Sequence, residues 1–142
     1  MRLYTDGIFD LFHYGHANYL HRIKKLYPNS ILLVGVCTDK AAALYKRVPI
    51  LNQQERAESV KHCKWVDGVI EQVPWTITAD FLAKHQIDGV CHNPGEYPNL
   101  ITGETDVYAY VKQQGKSIPI QRSPDISTTE IIRRIVNTNG HS

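Results

Sequence analysis

Two histidines, three residues apart, follow a glycine-containing turn near the start of the chain. The stretch reads DGIFDLFHYGH at residues 6–16, with His13 and His16 in its last part. The alternating residues 2–5 before it are typical of a strand, and the apolar residues after it recur at helical spacing. A strand, a turn and a helix N-terminus direct backbone N–H groups at one point, which favours binding of an anion. Two imidazoles beside such a point suggest phosphate chemistry.

The same two histidines also allow other interpretations. The chain contains 7 histidines, so two at this spacing are also expected by chance. Metal binding is a further hypothesis, because histidines at positions i and i+3 of a helix can share an ion. The sequence has no HExxH, no CxxC and no third ligand nearby. Phosphate binding therefore explains the pattern better than metal binding.

Composition limits the class of protein. The 142 residues predict one domain over 1–142, with 42% hydrophobic and 21% charged residues, as in an ordinary globular protein. The net charge of +2 is spread along the chain, which does not indicate a nucleic-acid partner. No apolar run could span a bilayer, and a strand stands where a signal peptide would begin. The cysteines Cys37, Cys63 and Cys91 are odd in number and far apart, which favours reduced thiols in the cytoplasm.

Strands and helices are predicted to alternate along the whole chain. Beyond the first strand, further strands are expected at residues 31–37, 68–71, 87–92 and 117–121. The helices that follow the first one are expected to have the N-caps Thr38, Asn52, Thr78, Thr105 and Ser127. This alternation implies an α/β fold with a parallel sheet and helices on both faces.

The stretches with candidate chemistry all fall on one edge of that predicted sheet. In open parallel sheets, ligands bind outside the carboxyl ends of the strands. The histidine turn, Lys46, Trp75 and residues 92–97 and 122–128 each follow a predicted strand. We therefore expect these segments to meet at a single site.

With these residues assembled, the chain resembles the cytidylyltransferases, and most closely those that act on phosphocholine. The similarity runs from Leu3 to about Val136 and rests on separated matches in order. These are DGIFDLFHYGH, LLVGVCTD, the Lys46 loop, NQQER, KWVD, PWTIT and RSPDISTTEII. The HxGH motif of the family is complete here, whereas its RTEGISTT motif is altered.

The resemblance implies a Rossmann-like, doubly wound sheet of about five parallel strands in a homodimer. It further implies that CTP and phosphocholine react to CDP-choline and pyrophosphate, with Mg²⁺ held by CTP and no metal ligand from the protein. The residues implied for catalysis are His13, His16, Lys46 and Arg122. Those implied for nucleotide binding are Gly7, Ile8, Phe9, Gly15, His92, Ser127 and Thr128. Those implied for the second substrate are Asp10, Trp75, Glu96, Tyr97 and Tyr108, and Arg56 is implied as a support of the site and the dimer contact. A quaternary ammonium cannot donate hydrogen bonds, so aromatic faces with a carboxylate suit it.

Two departures from the family pattern leave alternatives open. His92-Asn93-Pro94 stands where the family has His-Asp-Asp, and we expect Glu96 to supply the lost negative charge. Arg122-Ser123-Pro124-Asp125 stands in place of Arg-Thr-Glu-Gly, which adds a charge and removes a glycine. A transferase for ethanolamine-phosphate or glycerol-3-phosphate, or a non-catalytic CTP-binding regulatory protein, would also carry the other motifs.

Overall fold

Strands and helices alternate in the computed structural model of the protein, which describes residues 1–124 and 126–139. The strands are β1 (Arg2–Gly7), β2 (Ile31–Cys37), β3 (Gly68–Val73), β4 (Gly89–His92) and β5 (Ser117–Pro119). The helices are α1 (Tyr14–Leu26), α2 (Asp39–Tyr45), α3 (Gln53–Lys61), α4 (Ala79–Lys84), α5 (Ala109–Gln113) and α6 (Thr128–Asn139). The predicted alternation is confirmed, with strand ends that differ by a few residues.

The five strands form one sheet in the order β3-β2-β1-β4-β5, and all neighbouring pairs are parallel. Leu3 of β1 is in register with Leu32 on one side and with Gly89 on the other. The chain therefore leaves β1 first toward one edge of the sheet and later toward the other. The carboxyl end of β1 is consequently the switch point, where a crevice opens in sheets of this kind. The predicted doubly wound sheet is confirmed.

Helices cover both faces of the sheet. Alternate residues of β1 point to opposite sides, so each face contributes to its own buried cluster. Leu3 packs in one buried cluster with Leu20 of α1 and Val60 of α3. Tyr4 packs in the other cluster with Phe81 of α4, and Val111 of α5 belongs to that cluster as well. The two clusters are the apolar layers that hold the crevice at the carboxyl edge in place.

The cysteines are all free thiols, as the sequence predicts. Cys91 belongs to the cluster of α1 and α3, whereas Cys37 belongs to the cluster of α4 and α5. Burial raises the pKa of the Cys91 thiol to about 12 and raises the pKa of the Cys37 thiol as well. Cys63 is only partly buried.

The capping predictions are confirmed except at α5. Thr38, Asn52 and Thr78 accept hydrogen bonds from backbone N–H groups in the first turns of α2, α3 and α4. The prediction of Thr105 as the cap of the next helix was wrong, because α5 begins only at Ala109. Asp106 closes this turn instead: its Oδ1 accepts from the N–H of Tyr108 at 3.1 Å.

Helix α6 carries an apolar stripe that is only partly covered. Ile131 and Ile132 are half-buried, whereas Ile135 and Val136 expose 59% and 63% of their surface. The sequence predicts the stripe, but in this chain its second half faces outward. Within residues 1–124 and 126–139, no helix has the length and apolar character needed to cross a membrane.

Candidate active site

Helix α1 begins with a capping box made by the two histidines. The N–H of Gly15 donates to His13 Nδ1 at 3.1 Å, and the N–H of His13 donates to His16 Nδ1 at 3.2 Å. The two rings stack with their centroids 3.9 Å apart. Because each Nδ1 accepts, each Nε2 carries the hydrogen of a neutral imidazole. His13 Nε2 is buried and has no hydrogen-bond partner in the described part of the chain, so it can donate to a ligand.

Both imidazoles are held in the neutral form. Burial, followed by the electrostatic effects of His13, Arg122 and Lys46, lowers the pKa of His16 to about 3. Burial, followed by the charge of Lys46, also lowers the pKa of His13. At neutral pH the pair therefore offers two uncharged N–H donors beside two permanent positive charges.

Lys46 and Arg122 come to this opening from distant parts of the chain. Lys46 is the C-cap of α2, and Arg122 lies in the segment between β5 and α6. Burial and then the charge of Arg122 lower the pKa of Lys46. Together with His13 and His16, they form an electropositive site at the carboxyl edge of the sheet.

The start of α6 is tied to the turn that precedes α1. Ser127 caps α6 as predicted, since its hydroxyl accepts from the N–H of Glu130 at 3.1 Å. The hydroxyl of Thr128 donates to the carbonyl oxygen of Asp10 at 2.7 Å. The carboxylate of Asp10 in turn accepts from the N–H groups of Ile50 and Leu51 at 2.7 and 2.9 Å. Asp10, expected to bind substrate, thus fastens the loop after Lys46 and the start of α6 to the histidine turn.

Arg56 is a buried clamp below the site. Its guanidinium is 0% exposed and donates to the carbonyls of Ile8, Cys37 and Leu51 at 2.7, 2.9 and 3.1 Å. It also pairs with Asp39 at 2.7 Å. An arginine considered alone is usually a solvated surface charge. Here it joins the carboxyl ends of β1 and β2, which agrees with a supporting role. Gly7 is the last residue of β1, Ile8 follows it, and Phe9 continues the turn with a φ of 55°.

A carboxylate and several aromatic rings lie on the other side of β1. The hydroxyl of Tyr108 donates to Asp6 Oδ1 at 2.6 Å. Burial raises the pKa of Asp6 to about 6. Tyr97 contacts Tyr108 edge to face at 5.9 Å, and Trp75 packs against the same apolar cluster as Tyr108. Tyr108 thus contacts the partly buried carboxyl group of Asp6, Tyr97 contacts Tyr108, and Trp75 packs against the same cluster.

His92 lies behind this pocket. It is 3% exposed and stacks on the ring of Tyr108 at 4.4 Å. Its Nδ1 contacts the carbonyl of Asn93 at 2.9 Å, and its Nε2 contacts the hydroxyl of Ser117 at 2.5 Å. Both ring nitrogens thus have partners within the protein. The nucleotide contact expected of His92 stays a prediction.

The departure at Asn93 has a structural explanation. The side-chain amide donates to the hydroxyl of Tyr97 at 2.8 Å and accepts from the N–H of Arg122 at 3.2 Å. An ionised aspartate could accept from the N–H of Arg122 but could not donate to the hydroxyl of Tyr97. Glu96 is exposed and makes no side-chain hydrogen bond within the described ranges. Asp125, the second departure, lies outside the described residues.

The profile of the cytidylyltransferase-like family matches residues 4–134 of the chain.

The chain belongs to the cytidylyltransferase-like family.

The curated relatives add detail to this family assignment. Choline-phosphate cytidylyltransferase A of Rattus norvegicus is 47% identical over 96% of this chain and 36% of the relative. Choline-phosphate cytidylyltransferase 2 of Arabidopsis thaliana is 47% identical over 96% of this chain and 45% of the relative. Ethanolamine-phosphate cytidylyltransferase of Dictyostelium discoideum is 41% identical over 96% of this chain and 37% of the relative. The chain therefore spans about a third to a half of the length of these relatives.

A solved structure with the same fold supports the architecture. The lipopolysaccharide core biosynthesis protein of Thermoplasma volcanium GSS1 superimposes with a TM-score of 0.67 at 22% identity. The match covers 87% of this chain and 98% of that protein. At this identity, the likeness shows a shared fold alone.

The family profile and the curated relatives confirm the resemblance to cytidylyltransferases. The homodimer and the individual residue roles remain predictions.

Sequence reasoning missed Asp6 as a site residue of this cytidylyltransferase-like chain. Asp6 lies within β1, where a carboxylate is rarely found without a partner. That position was the available signal, because a charged group in an inner strand of a sheet with both faces covered needs a reason to be there. Its partner Tyr108 lies 102 residues further along, beyond the reach of any local pattern.

Proposed function

We propose that this chain transfers the cytidylyl group of CTP to phosphocholine, with release of pyrophosphate and formation of CDP-choline. The observation that carries the proposal is the meeting of two unlike half-sites at the carboxyl end of β1. The nucleotide half-site consists of His13, His16, Lys46, Arg122 and the start of α6. The acceptor half-site consists of Asp6, Trp75, Tyr97 and Tyr108. The names of the relatives at 47% identity support the same substrates.

The reaction needs positioning more than acid–base chemistry. A phosphate oxygen of phosphocholine attacks the α-phosphorus of CTP in line, and the bond to the pyrophosphate oxygen breaks. The second pKa of a phosphate monoester is about 6, so the group is largely dianionic at pH 7 and requires no general base. The protein must hold two anions together and stabilise the negative charge that develops on the leaving group.

The nucleotide half-site has the groups for that task. The Nε2–H groups of His13 and His16 donate to phosphate oxygens, and neutral imidazoles do so without adding charge to be desolvated. Lys46 and Arg122 neutralise the approaching phosphates. The first turn of α6 adds backbone N–H groups and the positive end of its dipole.

Magnesium fits this site as a companion of the nucleotide. Within residues 1–124 and 126–139, no group of three or more His, Cys, Asp or Glu side chains could hold a metal ion. The phosphate oxygens of CTP are the hard ligands that Mg²⁺ prefers. When bound there, the ion would supply charge neutralisation on the triphosphate. Lys46 and Arg122 would then hold the complex from the protein side.

The acceptor half-site matches a quaternary ammonium. Asp6 supplies one negative charge, while Tyr108, Tyr97 and Trp75 supply aromatic surface for methyl groups. A primary ammonium, as in phosphoethanolamine, would need hydrogen-bond acceptors for three N–H groups. Asp6 already accepts one bond from Tyr108, which leaves few acceptors for such a group.

The test is pyrophosphate release from Mg-CTP with phosphocholine, phosphoethanolamine or glycerol-3-phosphate in parallel. We expect release with phosphocholine at a kcat/KM at least tenfold above that with the other two. Preference for phosphoethanolamine would assign the chain to the activity named in the relative of Dictyostelium discoideum. No release with any acceptor, from folded protein that still binds CTP, would favour a regulatory CTP-binding role.

A further inference from the structure

Lys46 lies between Tyr45 and Arg47, whose side chains both make contacts with other parts of the chain. We call residues 45–47 the lysine strap. On one side, Arg47 Nη1 donates to the hydroxyl of Thr129 in α6 at 2.9 Å. On the other side, Tyr45 is held by the acceptor half-site. Within the described part of the chain, the Lys46 side chain makes no hydrogen bond or ion pair. Its position depends on the backbone of the strap, which the two neighbours and the bond from the Lys46 N–H to the carbonyl of Ala42 at 3.0 Å hold in place.

Tyr45 is fixed by its ring and by its hydroxyl. The ring stacks face to face on Trp75, with centroids 4.0 Å apart and an interplanar angle of 7°. The hydroxyl donates to Asn99 Oδ1 at 2.9 Å and accepts from the N–H of Leu100 at 2.9 Å. A tyrosine held at both ends has little rotamer freedom left, and the adjacent Cα atom of Lys46 is about 3.8 Å away along the backbone.

Asn99 makes this anchor rigid. It is 7% exposed, and its Oδ1 also accepts from the N–H groups of Ile101 and Thr102 at 3.0 and 3.2 Å. Its Nδ2 donates to the hydroxyl of Thr76, the neighbour of Trp75, at 2.8 Å. One buried amide therefore fixes the turn at residues 99–102, the Trp75 segment and the lysine strap together.

We propose that Tyr45 is a positioning residue that holds Lys46 toward the phosphates from the acceptor side. The proposal rests on the proposed function for the role of Lys46 in turnover. Tyr45 does not act on the reacting atoms. Its hydroxyl restricts the strap, so the flexible stem of Lys46 starts from a defined point between the two half-sites. Nothing in the sequence motifs singles out Tyr45, because its partners Trp75 and Asn99 are distant in the chain.

The kinetic test is Tyr45→Phe, which keeps the ring on Trp75 and removes both hydroxyl hydrogen bonds. We expect kcat at saturating CTP and phosphocholine to fall on the order of tenfold, with both KM values within about twofold of the wild type. Asn99→Ala should give a similar loss, and the double variant should lose little more, since both changes release the same anchor. Tyr27→Phe, a matched change at a partly buried tyrosine after α1, should leave kcat unchanged.

A second readout does not depend on turnover. Burial, followed by the charge of Arg122, lowers the pKa of Lys46, so a lysine that moves away from Arg122 and its other neighbours should titrate at higher pH. NMR titration of the Lys46 ¹³Cε signal should show that rise in Tyr45→Phe but not in Tyr27→Phe. An unchanged Lys46 titration in Tyr45→Phe, or a rate loss confined to a lower melting temperature, would overturn the proposal. If the wild type releases no pyrophosphate with any acceptor, the proposed function fails, and this titration still decides whether Tyr45 holds Lys46.

Discussion

The two half-sites are built in different ways. In the nucleotide half-site, the contacts around His13 and His16 join residues two or three positions apart, within the first turn of one helix. In the acceptor half-site, the bond between Tyr108 and Asp6 joins residues 102 positions apart. The histidine pair can form as soon as α1 begins, whereas Lys46 and Arg122, like the pair of Asp6 and Tyr108, come together only in the completed sheet. We therefore expect substitutions to separate the two substrates kinetically, except where a residue serves both.

Lys46→Ala should give the largest loss and should break this separation. Lys46 lies between the half-sites, so its removal takes charge stabilisation from both sets of phosphates. We expect kcat/KM for CTP and for phosphocholine to fall on the order of 10²–10³-fold, measured as pyrophosphate release. Lys40→Ala, an exposed lysine on the same helix, is the control and should leave both values unchanged. A loss for only one substrate would contradict the shared role.

Gly15→Ala should damage the nucleotide half-site alone. A Cβ at this position would lie 2.8 Å from Ile126 Cγ2 and 2.9 Å from His13 Cε1. Since real Cβ contacts are longer, the His13 ring must move and its Nε2–H would no longer point at the phosphates. We expect a loss of roughly 10–100-fold in kcat/KM for CTP, with the KM for phosphocholine nearly unchanged. Asn18→Ala, an exposed change one turn later in α1, controls for effects on the helix.

Tyr108→Phe should damage the acceptor half-site alone. It keeps the ring on His92 and removes the hydroxyl that donates to Asp6. Without this bond the Asp6 carboxylate is no longer held in place and its ionised form loses a donor, so the KM for phosphocholine should rise on the order of tenfold. The KM for CTP should stay within twofold. Tyr110→Phe, on the same helix, is the matched control, and an equal rise in both KM values in Tyr108→Phe would show that the half-sites are not separable.

The pH dependence of the KM for phosphocholine should also distinguish the half-sites, with a smaller effect than the substitutions above. The pKa of Asp6 is raised to about 6 from its ordinary value of 3.8, so Asp6 becomes neutral as the pH falls below about 6. The KM for phosphocholine should then rise several-fold between pH 7 and pH 5, beyond the change caused by the substrate's own phosphate. In Asp6→Asn, which has no charge to lose, only the substrate's contribution should remain. Glu96→Gln should retain the wild-type profile, because Glu96 is exposed whereas Asp6 is bonded to Tyr108. A flattened profile in Glu96→Gln would favour Glu96 as the source of the charge.

The same pKa shifts have opposite effects on folding stability. A raised pKa at Asp6 favours the folded state at low pH, and this contribution is lost as the pH rises from about 3.8 through 6. A pKa of about 3 at His16 does the reverse: the unfolded chain takes up the proton first as the pH falls below 6.5. The contribution of His16 is therefore complete above pH 6.5 and is lost toward pH 3.

The parts of the molecule that sequence could predict are those set by neighbouring residues. Asn52 with Glu55, and the histidine turn with its following helix, are complete within a few positions, so their local chemistry identifies them. The parallel sheet follows from the alternation of elements. Thr105 was a plausible cap by type, but Asp106 satisfies the turn because its carboxylate also receives the N–H of Tyr97 from a distant loop.

Burial was the other limit of sequence reasoning. Arg56 looks like a surface charge until the carbonyl ends of β1 and β2 are brought around it. Asp6 looks like part of a turn motif in the sequence, whereas in the fold its carboxylate accepts a hydrogen bond from the hydroxyl of Tyr108. In both cases the partner is a group on another element, and only the assembled fold determines whether a polar side chain meets water or protein.

Alkylation of the two buried cysteines can report separately when each apolar layer of the protein opens. Cys91 and Cys37 lie in the apolar layers on opposite faces of the sheet, and burial keeps both as unreactive thiols at neutral pH. Each can be alkylated only when the helices over its own face move away. Labelling followed by mass spectrometry therefore times the release of α1 and α3 at Cys91 separately from the release of α4 and α5 at Cys37. Equal labelling rates would mean that both layers come apart in one cooperative event.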